Sequence, residues 1–268
     1  MSKNKKTSGG FTSLIATLSI AIALVVGIVV YMYVFGKETN FVDNNPELEA
    51  KEGNYFGIIY KGGIIVPLLI AMNLVVVIFS IERFVTLARA KGKGGIDKFV
   101  EKIRVLLENN EIHQAIEVCD KQRGSVANVV RAGLEKYEHM QSDSVLDKEQ
   151  KIETLKKELE EATSLELPML SKNLGVLSTS ASISTLIGLI GTVFGMIKAF
   201  GAMKGGAPNT AELAAGISEA LINTAFGIIA STLAIIAYNF FSTKIDGMTY
   251  SMDEAGFSIV QDFSAKHK

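Results

Sequence analysis

Four long runs of apolar residues dominate the pattern of this chain. Polar and charged sequence separates them, and they cover Phe11–Phe35, Ile64–Ile81, Leu174–Ile197 and Leu213–Thr243. The shortest run, of 18 residues, reaches about 27 Å as a helix, close to the thickness of a bilayer's hydrocarbon core. The first three runs contain no charged residue, and the fourth contains only Glu219. The pattern predicts an all-α integral membrane protein with four transmembrane helices.

The first apolar run has a second interpretation, as a cleaved secretory signal. It follows a short segment with three lysines and no acidic residue. Signal cores, however, span about 7–15 residues and end at a small-residue cleavage site. This run is much longer and ends in Tyr31, Tyr33 and Phe35, which is typical of a membrane interface. We favour a retained helix, with a cleaved signal as the alternative.

The distribution of basic residues predicts the orientation of the helices. Residues 36–59 carry two lysines against five acidic residues, whereas residues 82–104 carry seven basic residues against three acidic ones. Cytoplasmic loops of membrane proteins are enriched in lysine and arginine. We therefore expect the N-terminus, the region after the second helix and the C-terminus to be cytoplasmic.

The long polar region between the second and third membrane helices is predicted to be a helical cytoplasmic insert. Apolar residues recur there at spacings of three and four in 96–107, 112–119 and 126–137, the pattern of amphipathic helices. A more charged helix is predicted over Asp147–Glu166. It leads into the third membrane helix, so we expect long helices extending from the membrane, with a kink at Pro168.

These patterns divide the chain into nine predicted segments. In chain order they are a cytoplasmic tail (1–10), an extra N-terminal transmembrane helix (11–35), a periplasmic loop (36–59), transmembrane helix 2 (60–83), the helical cytoplasmic domain (84–173), transmembrane helix 3 (174–203), a periplasmic turn (204–212), transmembrane helix 4 (213–243) and a cytoplasmic tail (244–268).

Composition excludes several classes of function. The formal net charge is −1, so no global positive field favours nucleic acid. One cysteine and three histidines leave no disulfide framework and no thiolate zinc cluster. We expect no metal, no cofactor and no enzymatic site.

Small residues mark the third and fourth membrane helices as helices that pack closely. Where helices meet in lipid, small residues let the backbones approach, and hydroxyls bond across the contact or line wet cavities. Most of the hydroxyls on these two helices are accounted for by such packing. The glycines that we assign to helix packing are Gly188, Gly191, Gly195, Gly216 and Gly227.

Glu219 is the one acidic residue within a membrane run. A carboxylate at mid-bilayer costs about 2.5–3.5 kcal/mol on insertion scales, but Glu219 lies near a helix end, where the penalty falls. It is therefore either a solvated helix-end carboxylate or a group that faces a polar lumen. Asn223 lies four residues later on the same helical face, which favours the lumen. We expect Lys198, near the outer end of helix 3, to extend to the interface.

Two motifs resemble the paired signature of the MotA/TolQ/ExbB proton-channel family. They are Gly188-Leu-Ile-Gly-Thr192-Val-Phe-Gly195 on helix 3 and Gly216-Ile-Ser-Glu219-Ala-Leu-Ile-Asn-Thr224-Ala-Phe-Gly227 on helix 4. Ser80-Ile-Glu82-Arg83-Phe84 and Glu166-Leu-Pro168 are similar to sequences of the ExbB/TolQ branch. The resemblance covers about residues 60–245.

The resemblance implies a proton channel or motor subunit in a bacterial inner membrane. Family members form a homopentamer around a single-span partner of the ExbD or TolR kind, which carries a membrane aspartate and in some systems works with a TonB-like protein. The two pore-lining threonines and the outer glutamate of the family correspond to Thr192, Thr224 and Glu219. We add Asn223 to this predicted proton pathway.

The resemblance has two departures. ExbB and TolQ proteins typically have three membrane helices and an outside N-terminus, whereas four are predicted here with the N-terminus inside. Four crossings resemble MotA, but the prolines typical of flagellar stators are not evident in helices 3 and 4. We assign the chain to the ExbB/TolQ branch and expect Glu82 and Arg83 to lie at the membrane interface.

Two other functions stay open at this point. A solute-transport subunit is disfavoured because the chain shows no internal repeat or interrupted helix pair. A structural membrane anchor would need neither the threonines nor Glu219. We therefore expect proton motive force to be converted into work on a periplasmic or outer-membrane partner, for example in TonB-dependent import.

Overall fold

The computed structural model describes residues 8–203 and 209–266. Residues 1–7 of the predicted N-terminal tail and 204–208 of the predicted periplasmic turn lie outside the described residues. Within those ranges the α-helices are α1 Ser8–Val30, α2 Tyr55–Tyr60, α3 Val66–Ala90, α4 Ile96–Glu108, α5 Ile112–Gln122, α6 Ser125–Ser142, α7 Lys148–Ser171, α8 Leu174–Gly201 and α9 Thr210–Lys266.

Four helical stretches are long and apolar enough to cross a membrane. The described residues contain no strand beyond one isolated bridge between Phe41 and Ala50. The prediction of an all-α integral membrane protein is confirmed. The four stretches are Leu18–Phe35, Val66–Ala90, Lys148–Gly201 and Thr210–Lys266.

The chain divides into two compact units. The membrane unit comprises the described residues up to Ile81 together with Gly175–Tyr238. The insert unit comprises Glu82–Leu174 and the described residues from Asn239 onward.

In the membrane unit, α1 packs against α3 at a glycine. A Cβ on Gly27 would lie 2.7 Å from the carbonyl oxygen of Pro67 and 3.1 Å from the amide nitrogen of Ala71. Ala23, one turn earlier, is buried. Because small residues let helix backbones approach in lipid, the extra N-terminal helix is held directly against α3.

The predicted periplasmic loop has a folded aromatic centre. Phe41 is fully buried and meets the ring of Tyr60 edge-on, with ring centroids 5.4 Å apart. Tyr31 stacks on Tyr60 with centroids 4.7 Å apart. The Asn40 side chain donates a hydrogen bond of 2.8 Å to the carbonyl of Val34, which satisfies an acceptor at the end of the first membrane helix.

The second membrane helix begins later and ends later than the predicted range of 60–83. Tyr55–Tyr60 forms the separate short helix α2, and α3 runs from Val66 to Ala90. Between them, Gly63 has a φ of +79°, a conformation that side chains on L residues disfavour. This turn places the backbone of Gly62 and Gly63 beside α9.

In the insert unit, α4, α5 and α6 bury one apolar face each, as their spacing predicts. Ile103, Leu107, Val130 and Leu134 are each at most 1% exposed. Tyr137 on α6 donates a hydrogen bond of 2.9 Å to Asp262 on α9. Burial and this carboxylate raise the pKa of the Tyr137 hydroxyl, so the bond persists at neutral pH.

Helix α9 continues through the segment that the sequence analysis treats as a tail after Thr243. It runs without a break from Thr210 to Lys266. Its last turns pack into the insert unit because a stripe of apolar residues recurs at spacings of three and four. The buried residues of the stripe are Ile245, Met248, Met252, Ala255, Ile259 and Phe263.

The break between α7 and α8 lies four residues after Pro168, the position where the kink is predicted. Helix α7 includes Pro168 and ends at Ser171. Asn173 then adopts a φ of +59°, and its side chain donates a hydrogen bond of 3.3 Å to Glu82. The proline is accommodated inside the helix, and the α-helix is interrupted at Lys172 and Asn173.

Arg83, on α3, stabilises the helix interruption between α7 and α8. Its guanidinium donates to both oxygens of Glu82, at 2.6 and 2.7 Å, and to the carbonyl of Leu170 at 3.1 Å. The last carbonyls of a helix lack partners within that helix, so Arg83 satisfies one of them. Its side chain is only 1% exposed, because it is covered where α3 meets α7. The location of Glu82 and Arg83 at the membrane interface stays a prediction.

Replacement of Arg83 by methionine should destabilise the insert unit by about 2–3 kcal/mol, because the Glu82 carboxylate and the Leu170 carbonyl lose their partner. Thermal unfolding of the purified protein in detergent measures this. The matched control is Arg104→Met, which removes an exposed pair with Glu108 and should cost less than about 0.5 kcal/mol. Equal effects of the two changes would contradict the structural role of Arg83.

Candidate functional site

The contact between α8 and α9 is lined by the five predicted packing glycines. A Cβ on Gly195 would lie 2.6 Å from the amide nitrogen of Ala220 and 2.7 Å from the carbonyl oxygen of Gly216. A Cβ on Gly227 would lie 2.7 Å from the carbonyl oxygen of Ser184. Residues later on α8 face residues earlier on α9, so the two helices are antiparallel and in backbone contact. Gly188 and Gly191 lie in the same contact, against Thr224 and Asn223 respectively.

Substitution of Gly195 by alanine should separate the two helices and lower the melting temperature of the protein. The new methyl group has no space, since the nearest atoms are backbone atoms of α9, and overpacking costs about 1–3 kcal/mol. Gly175→Ala on the same helix is the control, because no atom lies within 4 Å of its Cβ position. A destabilised Gly175→Ala beside an unchanged Gly195→Ala would reject this register.

The glycine contact brings Thr192 and Thr224 together. Their hydroxyl oxygens are hydrogen-bonded to each other. The Thr192 hydroxyl also lies 3.2 Å from the carbonyl of Gly188, and the Thr224 hydroxyl lies 3.1 Å from the carbonyl of Ala220. Each hydroxyl has one proton to donate. The pair therefore has two arrangements, in which either threonine donates to the other while the second donates to its own helix.

This exchange of donor and acceptor roles is the chemistry that a proton relay requires. A hydroxyl passes a proton by accepting on one lone pair and donating its own hydrogen, without carrying a lasting charge. The charged side chains in the described part of α8 and in α9 up to Thr243 are Lys198, Glu212 and Glu219. All three lie near the helix ends that are closest in sequence to residues 204–208. The threonine pair thus lies in an uncharged stretch.

Glu219 is held in an ion pair with Lys198. Lys198 Nζ lies 2.8 Å from Glu219 Oε2, and the side chains are 62% and 12% exposed respectively. On its other side, Glu219 contacts Gly63, whose missing Cβ leaves space for the carboxylate. The sequence predicted neither contact: we expected Lys198 to extend to the interface and Glu219 to be solvated or to face a lumen.

Asn223 lies apart from the threonine pair although it is only one residue from Thr224. Its side chain is fully buried, presses against Gly191 and donates a hydrogen bond of 2.9 Å to the carbonyl of Gly62. Its Oδ1 has no partner among the described residues. Within this chain, Asn223 joins α8, α9 and the turn before α3.

The predicted residues therefore fall into three groups. Thr192 and Thr224 form a hydroxyl pair, Glu219 pairs with Lys198 toward the 204–208 end, and Asn223 is packed inside the membrane unit. Among the described residues, no three histidine, cysteine, aspartate or glutamate side chains are placed to hold a metal ion.

The sequence model of the MotA/TolQ/ExbB proton channel family matches residues 121–254, which include α8 and most of α9. A biopolymer transport protein ExbB of Pseudomonas putida is 31% identical over 160 residues, covering 59% of this chain and 48% of that protein. The Tol-Pal system protein TolQ of Pseudomonas aeruginosa is 30% identical over 158 residues, covering 59% of this chain and 68% of that protein.

A TolQ protein of Haemophilus influenzae is 41% identical over 88 residues, covering 32% of this chain and 39% of that protein. The matched region spans about half the length of the Pseudomonas putida ExbB protein and about two thirds of the length of the Pseudomonas aeruginosa TolQ protein. The chain belongs to the MotA/TolQ/ExbB proton channel family, in the branch of ExbB and TolQ.

Proposed function

We propose that this chain is the proton-channel subunit of an inner-membrane motor complex of the ExbB–ExbD or TolQ–TolR type. In this proposal α8 and α9 of several copies enclose a hydrated path. A single-span partner of the ExbD or TolR kind is held in that path and supplies a membrane aspartate. The observation that carries the proposal is the Thr192–Thr224 hydroxyl pair, which lies within the region that matches the proton channel family.

The energetics of proton movement fit mechanical work. One elementary charge that moves through 100 mV releases about 2.3 kcal/mol, several times the thermal energy. Transient neutralisation of the partner's aspartate would therefore bias rotation or rearrangement of the partner between equivalent positions. Glu219 would concentrate protons at the periplasmic mouth, and the hydroxyl pair would relay them without a fixed charge.

The same proposal assigns the remaining parts of the chain. The copies form a homo-oligomer, for which we propose a pentamer, with both termini in the cytoplasm and the insert unit there as a scaffold. The work is done on a periplasmic or outer-membrane partner, such as a TonB-like protein in import. The relatives that are biopolymer transport and Tol-Pal system proteins support this kind of task.

Proton flux into liposomes tests the proposed function. The chain is reconstituted with and without a co-expressed single-span partner that carries a membrane aspartate, and an inside-positive or inside-negative potential is imposed. We expect flux only with the partner, and loss of that flux when the partner's aspartate is replaced by asparagine. A structural anchor predicts no flux in either case, and a solute transporter predicts flux of a substrate without the partner.

A further inference from the structure

A second polar feature of the membrane unit lies along α8 and α9, away from the threonine pair. It is a groove of about 400 Å³, which we call the hydroxyl groove. Among the described residues, no charged side chain lines it. Its walls carry five hydroxyl groups, and its lining residues are Ser178, Ala181, Ser182, Thr185, Ser231, Ile235 and Tyr238.

The hydroxyl groove continues from the threonine pair toward the ends of the helices that join the insert unit. Ser182 precedes Thr192 by ten residues, and Ser231 follows Thr224 by seven, which correspond to about 15 and 10 Å along a helix. Because α8 and α9 are antiparallel, both displacements run in the same direction. Glu219 and Lys198 lie in the opposite direction from the pair.

Four of the five groove hydroxyls make no hydrogen bond within the described part of the chain, and the fifth, that of Thr185, lies 3.3 Å from the carbonyl of Ala181. Thr179, Thr192 and Thr224 each lie within hydrogen-bond distance of the carbonyl four residues earlier. By contrast, Ser182 and Ser231 make no hydrogen bond within the described part of the chain, although serine in a helix readily bonds to that carbonyl. Ser178 and Tyr238 are likewise without a bond there.

Unbonded hydroxyls of this kind do not suit contact with lipid. In the hydrocarbon region nothing replaces the hydrogen bonds that water gives a hydroxyl, so exposed polar groups there face protein or a water-filled cavity. The groove is wide enough for water, since a water molecule occupies about 30 Å³ in the liquid. Water therefore satisfies the groove better than lipid does.

We propose that the hydroxyl groove is the cytoplasmic half of the proton path, filled with water that connects the Thr192–Thr224 pair to the inner face. This inference rests on the proposed function and names the residues of its exit. Serine and tyrosine hydroxyls donate and accept in turn, so they order a chain of water molecules without trapping the proton on a charged group. The proton passes along the water molecules, so no covalent bond of the protein forms or breaks.

Cysteine labelling tests whether the groove is wet, independently of proton flux. The chain has one cysteine, Cys119, which is buried, and burial raises the pKa of its thiol to about 12. The thiolate is the reactive form, so the unmodified chain provides a silent background. Ser182→Cys and Ser231→Cys are assembled with the partner in membrane vesicles and exposed from the cytoplasmic side to a charged methanethiosulfonate reagent.

The matched controls are Ile183→Cys and Leu233→Cys. Ile183 and Leu233 are 40% and 45% exposed in the chain but lie about 100° and 160° around their helices from Ser182 and Ser231. We expect the two groove cysteines to react at least about ten times faster than the controls, because a thiol in hydrocarbon stays protonated and unreactive. Groove cysteines that react no faster than the controls would overturn the proposal.

A flux measurement then tests the role in proton transfer. Ser182→Ala combined with Ser231→Ala removes two groove hydroxyls, whereas Thr179→Val removes one that is bonded within its own helix. We expect flux to fall about tenfold in the first variant and to stay unchanged in the second. Unchanged flux in the double variant would overturn the role. If the unsubstituted complex carries no flux, the proposed function fails, while labelling still decides whether the groove is wet.

Discussion

Replacement of both Thr192 and Thr224 by valine is expected to lower proton flux through the assembled complex about a hundredfold. Valine has nearly the shape of threonine, so the glycine contact between α8 and α9 is kept while both relay hydroxyls are lost. Each lost hydrogen bond costs about 1–1.5 kcal/mol, and each 1.4 kcal/mol corresponds to about tenfold in rate. Flux into liposomes that contain the complex measures the effect.

The control for this prediction keeps the hydroxyls and changes the methyl groups. Thr192→Ser with Thr224→Ser should retain flux within about threefold, because serine donates and accepts as threonine does. Assembly of both variants is checked by size-exclusion chromatography. A valine variant that assembles and conducts normally would show that the hydroxyl pair is only a packing contact.

Exchange of the charges of Lys198 and Glu219 should restore stability without restoring flux. Lys198→Glu alone brings two carboxylates together and Glu219→Lys alone brings two ammonium groups together, so each should destabilise the protein by about 1 kcal/mol. The double exchange re-forms the pair on opposite helices. Flux should be reduced about tenfold in Glu219→Lys and in the double exchange, since neither of them has a carboxylate at position 219.

Thermal unfolding and proton flux of the same preparations separate the two roles of this pair. Glu219→Gln, which keeps size and polarity, serves as the matched variant and should reduce flux to the same level as the exchange. If the double exchange recovers flux together with stability, the ion pair is structural and Glu219 has no role of its own at the periplasmic mouth.

The elements that the sequence predicts best are those fixed by local periodicity. The four apolar runs are predicted from the length of helix that a bilayer requires. The spacing in α4, α5 and α6 is predicted from the one helical face that is buried away from water. The glycine spacing on α8 and α9 likewise identifies the close contact, because the reason for a glycine there is the approach of another backbone.

The mean hydropathy of the sequence does not predict where α9 ends. The apolar run ends at Thr243, and the following residues are mixed with charged ones. The signal for a continued helix was nevertheless present in the spacing of Ile245, Met248, Met252 and Ile259, all of which are buried. A spacing of three and four marks a helix that is buried on one side, and overall hydropathy does not.

The contacts of Asn223 and Lys198 could not be predicted from local sequence. The partner of Asn223 is the carbonyl of Gly62, 161 residues away, and the partner of Lys198 is set by the register of two helices. The spacing of four residues places Asn223 on the same face of α9 as Glu219. It does not indicate which element covers that face. Such contacts depend on tertiary packing, which no periodicity encodes.

A cryo-electron microscopy structure of the assembled complex with its single-span partner tests the central claim most directly. The quantity to measure is the direction of the Thr192 and Thr224 hydroxyls relative to the symmetry axis of the oligomer. We predict that both face a central cavity and lie around the partner's helix at the depth of its aspartate. Threonine pairs that face lipid, with α8 and α9 turned away from any cavity, would contradict the account.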